Sequence, residues 1–421
     1  MQITESPNIS NVTEQHLAIK DAILPYLEVK GLISLSQTCK TARSFFLDTV
    51  LFDYINSSHT SLQLFKFDPI CLKNILRKSG AQLSCLKLTR VTTQVASRLI
   101  SECPNLIHLE IESLKDKESN WFCSLVETGI LKAEKLRTLI LLDCHLGVQD
   151  ANQIALLKNL THLDLWGNRD LTKGKNRLIN FEPISSENQY DQGTFQFHLT
   201  QLTYLDLSFT SWNSLYINAS RLAPNFELFQ QLTELIYDGV TLSDSDFFSF
   251  IDSLKTLTHL QKLSLQNTDI RETKAKCIAD NLHNITSLDI RFNYTPSIGV
   301  IGILTSLEKL TEIKFHGGLI IEEIPQIVDA LLTRDDFSRF VHHYYYNQLN
   351  KEDNKMLEEQ KKRILNKFPN CHIVLDSKAF GSRSIGQGEN SARLRNDGTI
   401  IQGSRRGGWY RGYPRAVPVK T

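Results

Sequence analysis

The phrase Leu-x-x-Leu-x-Leu, with apolar residues three and then two apart, recurs along this 421-residue chain. Copies begin at Leu83, Leu106, Leu136, Leu160, Leu202, Leu232, Leu260, Ile285 and Leu310, and two weaker ones at Phe337 and Phe368. The spacing fits neither the helical period nor the plain alternation of a strand with one wet face. Successive strong copies lie 23, 30, 24, 42, 30, 28, 25 and 25 residues apart, room for one short strand and one helix each. One such unit cannot bury its leucines alone, so it must stack on its neighbours.

Strand-and-helix units stacked in order form a leucine-rich-repeat solenoid, and the expected fold is an α/β horseshoe over residues 61–376. Amphipathic stretches at Asp150–Leu157, Asp246–Leu254 and Ile324–Leu332 supply outer helices. Three residues after the last leucine stands the position whose asparagine side chain caps backbone groups as the strand leaves the ladder. Asn168 and Asn293 keep it, whereas Cys144, Thr210, Val240 and Thr268 replace it. The 42-residue interval predicts a long loop over about 169–197.

Because strand side chains alternate, the third, fifth and seventh residues of each copy are expected on the concave surface. There Ile140, Leu142, Trp166, Tyr204 and Ile236 form an apolar run on consecutive turns, and Glu110, Glu112, Asp164, Asp206, Glu234 and Asp238 surround it. An aromatic anchor with a charged rim is the pattern of a protein-binding hot spot, and acidic groups favour a basic partner segment. The expected partner-binding residues are therefore Ile140, Leu142, Asp164, Trp166, Tyr204, Asp206, Ile236 and Asp238, with Trp166 filling a pocket on the partner. The alternative has Trp166 folded over the adjacent loop.

Residues 12–60 follow another pattern. After a short, flexible 1–11, apolar residues at Ile19, Ile23, Tyr26, Leu27, Leu32 and Leu35 predict short amphipathic helices joined at 28–31. The phrase Ile23-x-x-Tyr26-Leu27, then Lys30, Leu32, Leu35, Cys39, Lys40 and Arg43, with Asp48 and Leu51-Phe52 trailing, resembles an F-box. Gln15-His16 stands where the motif opens with Leu-Pro, and Ala42 where it carries Trp. Followed by leucine-rich repeats, this layout resembles the substrate-recognition subunits of cullin-type ubiquitin ligases, including versions that intracellular bacteria deliver into host cells. The resemblance implies a Skp-family adaptor bound through Ile23, Tyr26, Leu27, Leu32, Leu35 and Cys39, a cullin complex beyond it, and a protein target on the concave face. The alternative makes this head only a cap on the first turn, and the chain a scaffold or inhibitor.

The remaining signals restrict the chemistry. No catalytic residue, cofactor or metal is expected: Gly174-Lys175 lacks a phosphate loop's first glycine and its Ser/Thr, and the histidines at 108 and 162 lack paired ligand spacing. The eight cysteines are scattered without a CxxC and are expected as reduced thiols. No apolar run is long enough to span a bilayer and no signal peptide opens the sequence, so the expected location is the cytoplasm, the host cytosol for a delivered effector. Net charge is +1, but residues 377–421 hold nine Lys/Arg against two Asp/Glu, leaving 1 − 7 = −6 for the rest. This Gly- and Arg-rich tail is expected to be disordered. Its arginines interleave with Trp409, Tyr410 and Tyr413, chemistry that also stacks on single-stranded RNA.

Overall fold

A computed structural model of the chain describes residues 83–376, apart from 117–119, 130, 132–133, 156, 169–198, 210–228, 241, 317–320 and 344–350, together with 392–394 and 400–402. The helical head and all six adaptor-binding positions lie outside the described residues.

Eleven short strands form one sheet in sequence order, each parallel to the next: β1 (Cys85–Thr89), β2 (His108–Glu112), β3 (Thr138–Leu142), β4 (His162–Asp164), β5 (Tyr204–Asp206), β6 (Glu234–Ile236), β7 (Lys262–Ser264), β8 (Ser287–Ile290), β9 (Glu312–His316), β10 (Arg339–His343) and β11 (His372–Asp376). Strands β1 to β10 begin at the third residue of a repeat copy and pair there in register, from Cys85 with His108 onward; β11 begins at His372, two residues later than the copy at Phe368 puts it, and pairs with Arg339. The 42- and 30-residue intervals leave the register intact, His162 opposite Tyr204 and Tyr204 opposite Glu234. This uninterrupted ladder is that of a leucine-rich-repeat solenoid.

Outside the sheet run helices α1 (Thr93–Ser101), α2 (Trp121–Glu127), α3 (Val148–Ala155), α4 (Asp244–Leu254), α5 (Glu272–Asn281), α6 (Ser297–Ser306), α7 (Ile324–Leu332) and α8 (Lys351–Lys367). Their starts follow local chemistry. Ser243 caps α4 by accepting from the Asp246 N–H at 3.1 Å, and Pro325 sits in the first turn of α7. The two earliest helices borrow a carboxylate from the next turn: Asp116 accepts from Thr93 N at the start of α1 (2.9 Å), and Asp150 from Cys123 N in α2 (2.9 Å).

The first, fourth and sixth residues of the repeats, such as Leu160, Leu163 and Leu165, join inward helix residues such as Phe247, Phe250 and Ile278 in one continuous core. Asn168 and Asn293 act as the spacing predicts. Asn293 Oδ1 accepts from the N–H groups of Thr268 and Ile270 (both 2.9 Å), while Nδ2 donates to the carbonyls of Leu265 (2.7 Å) and Ile290 (3.0 Å). Asn168 does the same towards Cys144 N (2.9 Å) and Leu141 O (2.5 Å). Cys144, in an asparagine position, turns its thiol towards the carbonyls of Ile111 and Leu142 (both 3.3 Å). Thiols are weak donors, so this is the poorer cap.

Two further ladders stand out. The second residue of many copies is Thr or Ser, and its hydroxyl donates to the preceding turn: Thr203 to Thr161 O (3.0 Å), Thr233 to Thr203 O (2.9 Å), Ser338 to Thr311 O (3.0 Å). The eighth residue of every copy from Leu83 to Ile285 is left-handed, with φ from 50° at Asp143 to 76° at Gly167, and there the chain turns off the strand.

Six cysteines are described and all are free; burial pushes the Cys103 thiol up to about 12. Residues 377–421, expected without regular structure, contain a strand pair, β12 (Ala392–Leu394) antiparallel to β13 (Ile400–Gln402). Between these two strands the sequence carries Asn396-Asp397-Gly398, a hairpin-turn signal.

Candidate protein-recognition face

The third, fifth and seventh residues of each copy do lie on one face of the ladder, but the eight expected partner-binding residues divide. Ile140, Tyr204 and Ile236 are half-buried and reach the surface, while Leu142, Asp164, Trp166, Asp206 and Asp238 are buried.

The main correction concerns Trp166, which is 4% exposed rather than a protruding anchor. It packs with Leu142, Ile140 and Phe209 in a small apolar cluster separate from the main core. Phe209 takes the left-handed eighth position of its copy (φ 53°), so its ring crosses back over the strand exits and meets Trp166 edge-on at 6.0 Å. Neighbouring Gly239 (φ 72°) stands where an added Cβ would strike the Phe209 ring. Alternation of strand side chains placed Trp166 on the correct face, but carried no information about what folds over that face from the turn.

The aspartates are corrected similarly. At the fifth position each carboxylate accepts the N–H two residues on: Asp164 from Trp166 (3.1 Å), Asp206 from Ser208 (2.9 Å) and Asp289 from Arg291 (3.2 Å). These groups brace the strand exit, a local Asx bond that the Asp-x-Trp and Asp-x-Ser spacings announce. They are therefore not a free acidic rim.

The surface that remains is apolar in the middle and paired at both ends. Across turns 4 and 5, the His162 and Tyr204 rings stack at 3.9 Å with 4° between planes, flanked by the edges of Ile140 and Ile236. At one end Lys87 and Glu110 form a buried ion pair at 2.5 Å, with His108 Nε2 3.8 Å from the same carboxylate. Towards the other end stand Lys262 with Glu234 (3.5 Å), Arg291 with Asp289 (2.6 Å), and Lys314 and Arg339 with Glu312 (3.1 and 3.3 Å). Lys87–Glu110, Lys262–Glu234 and Arg339–Glu312 cross between strands, while Arg291–Asp289 and Lys314–Glu312 lie within one turn; all fix side-chain positions more than they add stability. Among the described residues, no group of three or more His, Cys, Asp or Glu is arranged to hold a metal ion.

One buried acid in this face has a displaced proton affinity. Burial, and next the nearby Asp289 carboxylate, push Asp238 up to about 7, against the downward pull of the Ser264 hydroxyl, the Gln266 N–H and Arg291. Among the described residues, no helix is long and apolar enough to cross a membrane.

No family model matches the chain, and no curated protein matches it. Solved structures similar in part include an internalin, inlF, of Listeria monocytogenes, with 18% identity over 83% of this chain and 88% of that one, at a TM-score of 0.42. The tropomodulin C-terminal domain of Caenorhabditis elegans shares 14% identity over 36% of this chain and 95% of its own, at 0.28. Actin-binding site 2 of leiomodin-1 shares 20% over 35% of this chain and 88% of its own, also at 0.28.

Proposed function

We propose that this chain is a non-enzymatic recognition subunit: its concave face holds a protein target, and its head, residues 12–60, docks a Skp-family adaptor that brings a cullin-type ubiquitin ligase to that target. The observation that carries the binding role is the register-perfect ladder of eleven strands, which sets Ile140, the His162–Tyr204 stack and Ile236 side by side as a rigid, partly apolar strip. A rigid surface loses little conformational freedom on binding. The ligase role is supported by the F-box-like residues of the head, and the effector layout it resembles puts the site of action in the host cytosol. The chain contributes positioning, and bond-making belongs to the rest of the ligase. A basic segment in the target stays part of the proposal from the sequence; the acidic groups of turns 4 to 6 do not argue for it, since Asp164 and Asp206 brace their own strand exits and Glu234 pairs with Lys262. Carriage of RNA by the tail is a separate reading, tested by salt-dependent RNA affinity that disappears with residues 377–421.

A second reading makes the head a cap and the chain a scaffold or inhibitor. What favours it is the array itself, whose end turns have an apolar face that a stacked repeat must cover.

The binding role is tested by proximity labelling in cells with the full chain. Ile236→Arg, which puts a charge in the strip, is expected to remove at least about tenfold of the labelling of specific partners, the effect of losing roughly 1.4 kcal/mol at a hot spot. Ile298→Arg, at a 60% exposed site on α6, should leave labelling unchanged. Equal labelling by all three proteins would remove the concave face from recognition.

A further inference from the structure

Asp238 is 8% exposed and connects turns on either side of its own. Its N–H donates to Ser208 Oγ on turn 5 at 3.0 Å. Its Oδ1 accepts from the Ser264 hydroxyl at 2.7 Å and from the Gln266 N–H at 2.8 Å, both on turn 7. The Gln266 side-chain amide reaches on to Asp289 Oδ2 on turn 8 at 3.3 Å, so one glutamine lies between two carboxylates. Asp289 is gripped by Arg291, through Nε at 2.9 Å and Nη2 at 2.6 Å.

The other charged groups on the surrounding strands are committed. Asp206 on β5 braces Ser208, Glu234 on β6 and Lys262 on β7 pair with each other, and Glu312 on β9 is held by Lys314 and Arg339. Arg291 is the cation that acts on Asp238, and it is already bound to Asp289. Two carboxylates share one guanidinium, and ionising both inside the face leaves an uncompensated negative charge there.

We propose that the Asp238–Asp289–Arg291 cluster is a pH-responsive clasp that holds turns 6, 7 and 8 of the concave face together in acid and loosens them in alkali. Its significance as regulation rests on that face being the recognition surface. The folded chain keeps the Asp238 proton to about pH 7, while an unhindered carboxyl releases it near 3.8. The folded state binds the extra proton, so its advantage is full below about 3.8, declines above that value and is gone once pH has risen through about 7. As the proton leaves, the middle of the strip gains negative charge and gives up rigidity together.

Hydrogen exchange followed by mass spectrometry on the full chain, at pH 6 and pH 8 and corrected for intrinsic base catalysis, reads this directly. Amides of β6 to β8 are expected to lose about tenfold in protection across that interval, the fold-change of one proton released near pH 7, while those of β1 to β3 stay level. Asp238→Asn keeps the acceptor oxygen and cannot ionise, so its protection should be flat. Asp289→Asn removes the opposing charge and should move the loosening to lower pH. Equal corrected protection in the wild type at both pH values, a tenfold loss retained in Asp238→Asn, or an unmoved midpoint in Asp289→Asn would overturn the clasp. No partner enters this measurement, so its failure leaves the recognition role standing, and failure of the labelling experiment leaves the clasp standing.

Discussion

Replacing Phe250 by alanine is expected to lower the unfolding free energy by about 3–5 kcal/mol, read as a fall in the urea midpoint at an unchanged slope. Phe250 is fully buried on the inner face of α4 and stacks on Tyr237 at 5.1 Å, with Phe247 at 6.5 Å, so the helix is fastened to its turn by this aromatic group. A solenoid turn has only its neighbours to pack against, and a void here has few side chains that can collapse into it. Phe248, two residues away and 40% exposed, provides the control: its alanine variant should stay within about 0.5 kcal/mol of the wild type. Similar losses at both positions would contradict the assigned faces of α4.

Asn293→Ala should cost on the order of 3 kcal/mol, although the side chain removed is small and polar. The substitution strands the N–H groups of Thr268 and Ile270, which lie in residues only 2% and 0% exposed and lose their acceptor. The Leu265 carbonyl keeps the Thr268 hydroxyl at 2.8 Å, so the donors carry most of the penalty. The damage should be local, with exchange protection falling in turns 7 and 8 and little change at β1 to β3, because stability in such arrays sums over neighbouring turns. A cost below about 0.5 kcal/mol would mean that the asparagine is not what joins these turns.

How much of this was legible in the sequence depends on the range of the interaction. Strand positions are set by a period, and ten of the eleven strands begin where the repeat phrase puts them, even across the 42-residue interval; β11 is offset by two residues because its copy is read from Phe368, whereas its register follows Asn370. Helix α7 occupies the predicted 324–332, whereas α4 starts two residues before the expected Asp246 because Ser243 caps it. What escaped depends on contacts between turns. The burial of Trp166 required knowing that Phe209 adopts a left-handed conformation, rare for a bulky residue and invisible to hydrophobic pattern. The Asp164 and Asp206 braces were readable in principle, since aspartate two residues before a turn favours an Asx bond. The Thr ladder was also present, as the second letter of LTHLDL, LTYLDL and LTELIY, but polar letters inside an apolar motif pass as solvent-facing filler. The tail pair β12–β13 follows the Asn-Asp-Gly signal, which was outweighed by the segment's overall glycine and arginine content. The head's helices, predicted from apolar spacing, and its six adaptor positions, implied by the resemblance, lie outside the described residues.

That makes adaptor binding the direct test of the proposed function. The full chain should be co-expressed with a purified-grade eukaryotic Skp-family adaptor, alongside a Leu27→Ala, Leu32→Ala variant whose urea unfolding curve matches the wild type. A complex that co-purifies with the wild type and is lost in the variant is the predicted result. A well-folded wild type that leaves the adaptor in the flow-through would contradict the ligase role and reduce the head to a cap on the solenoid.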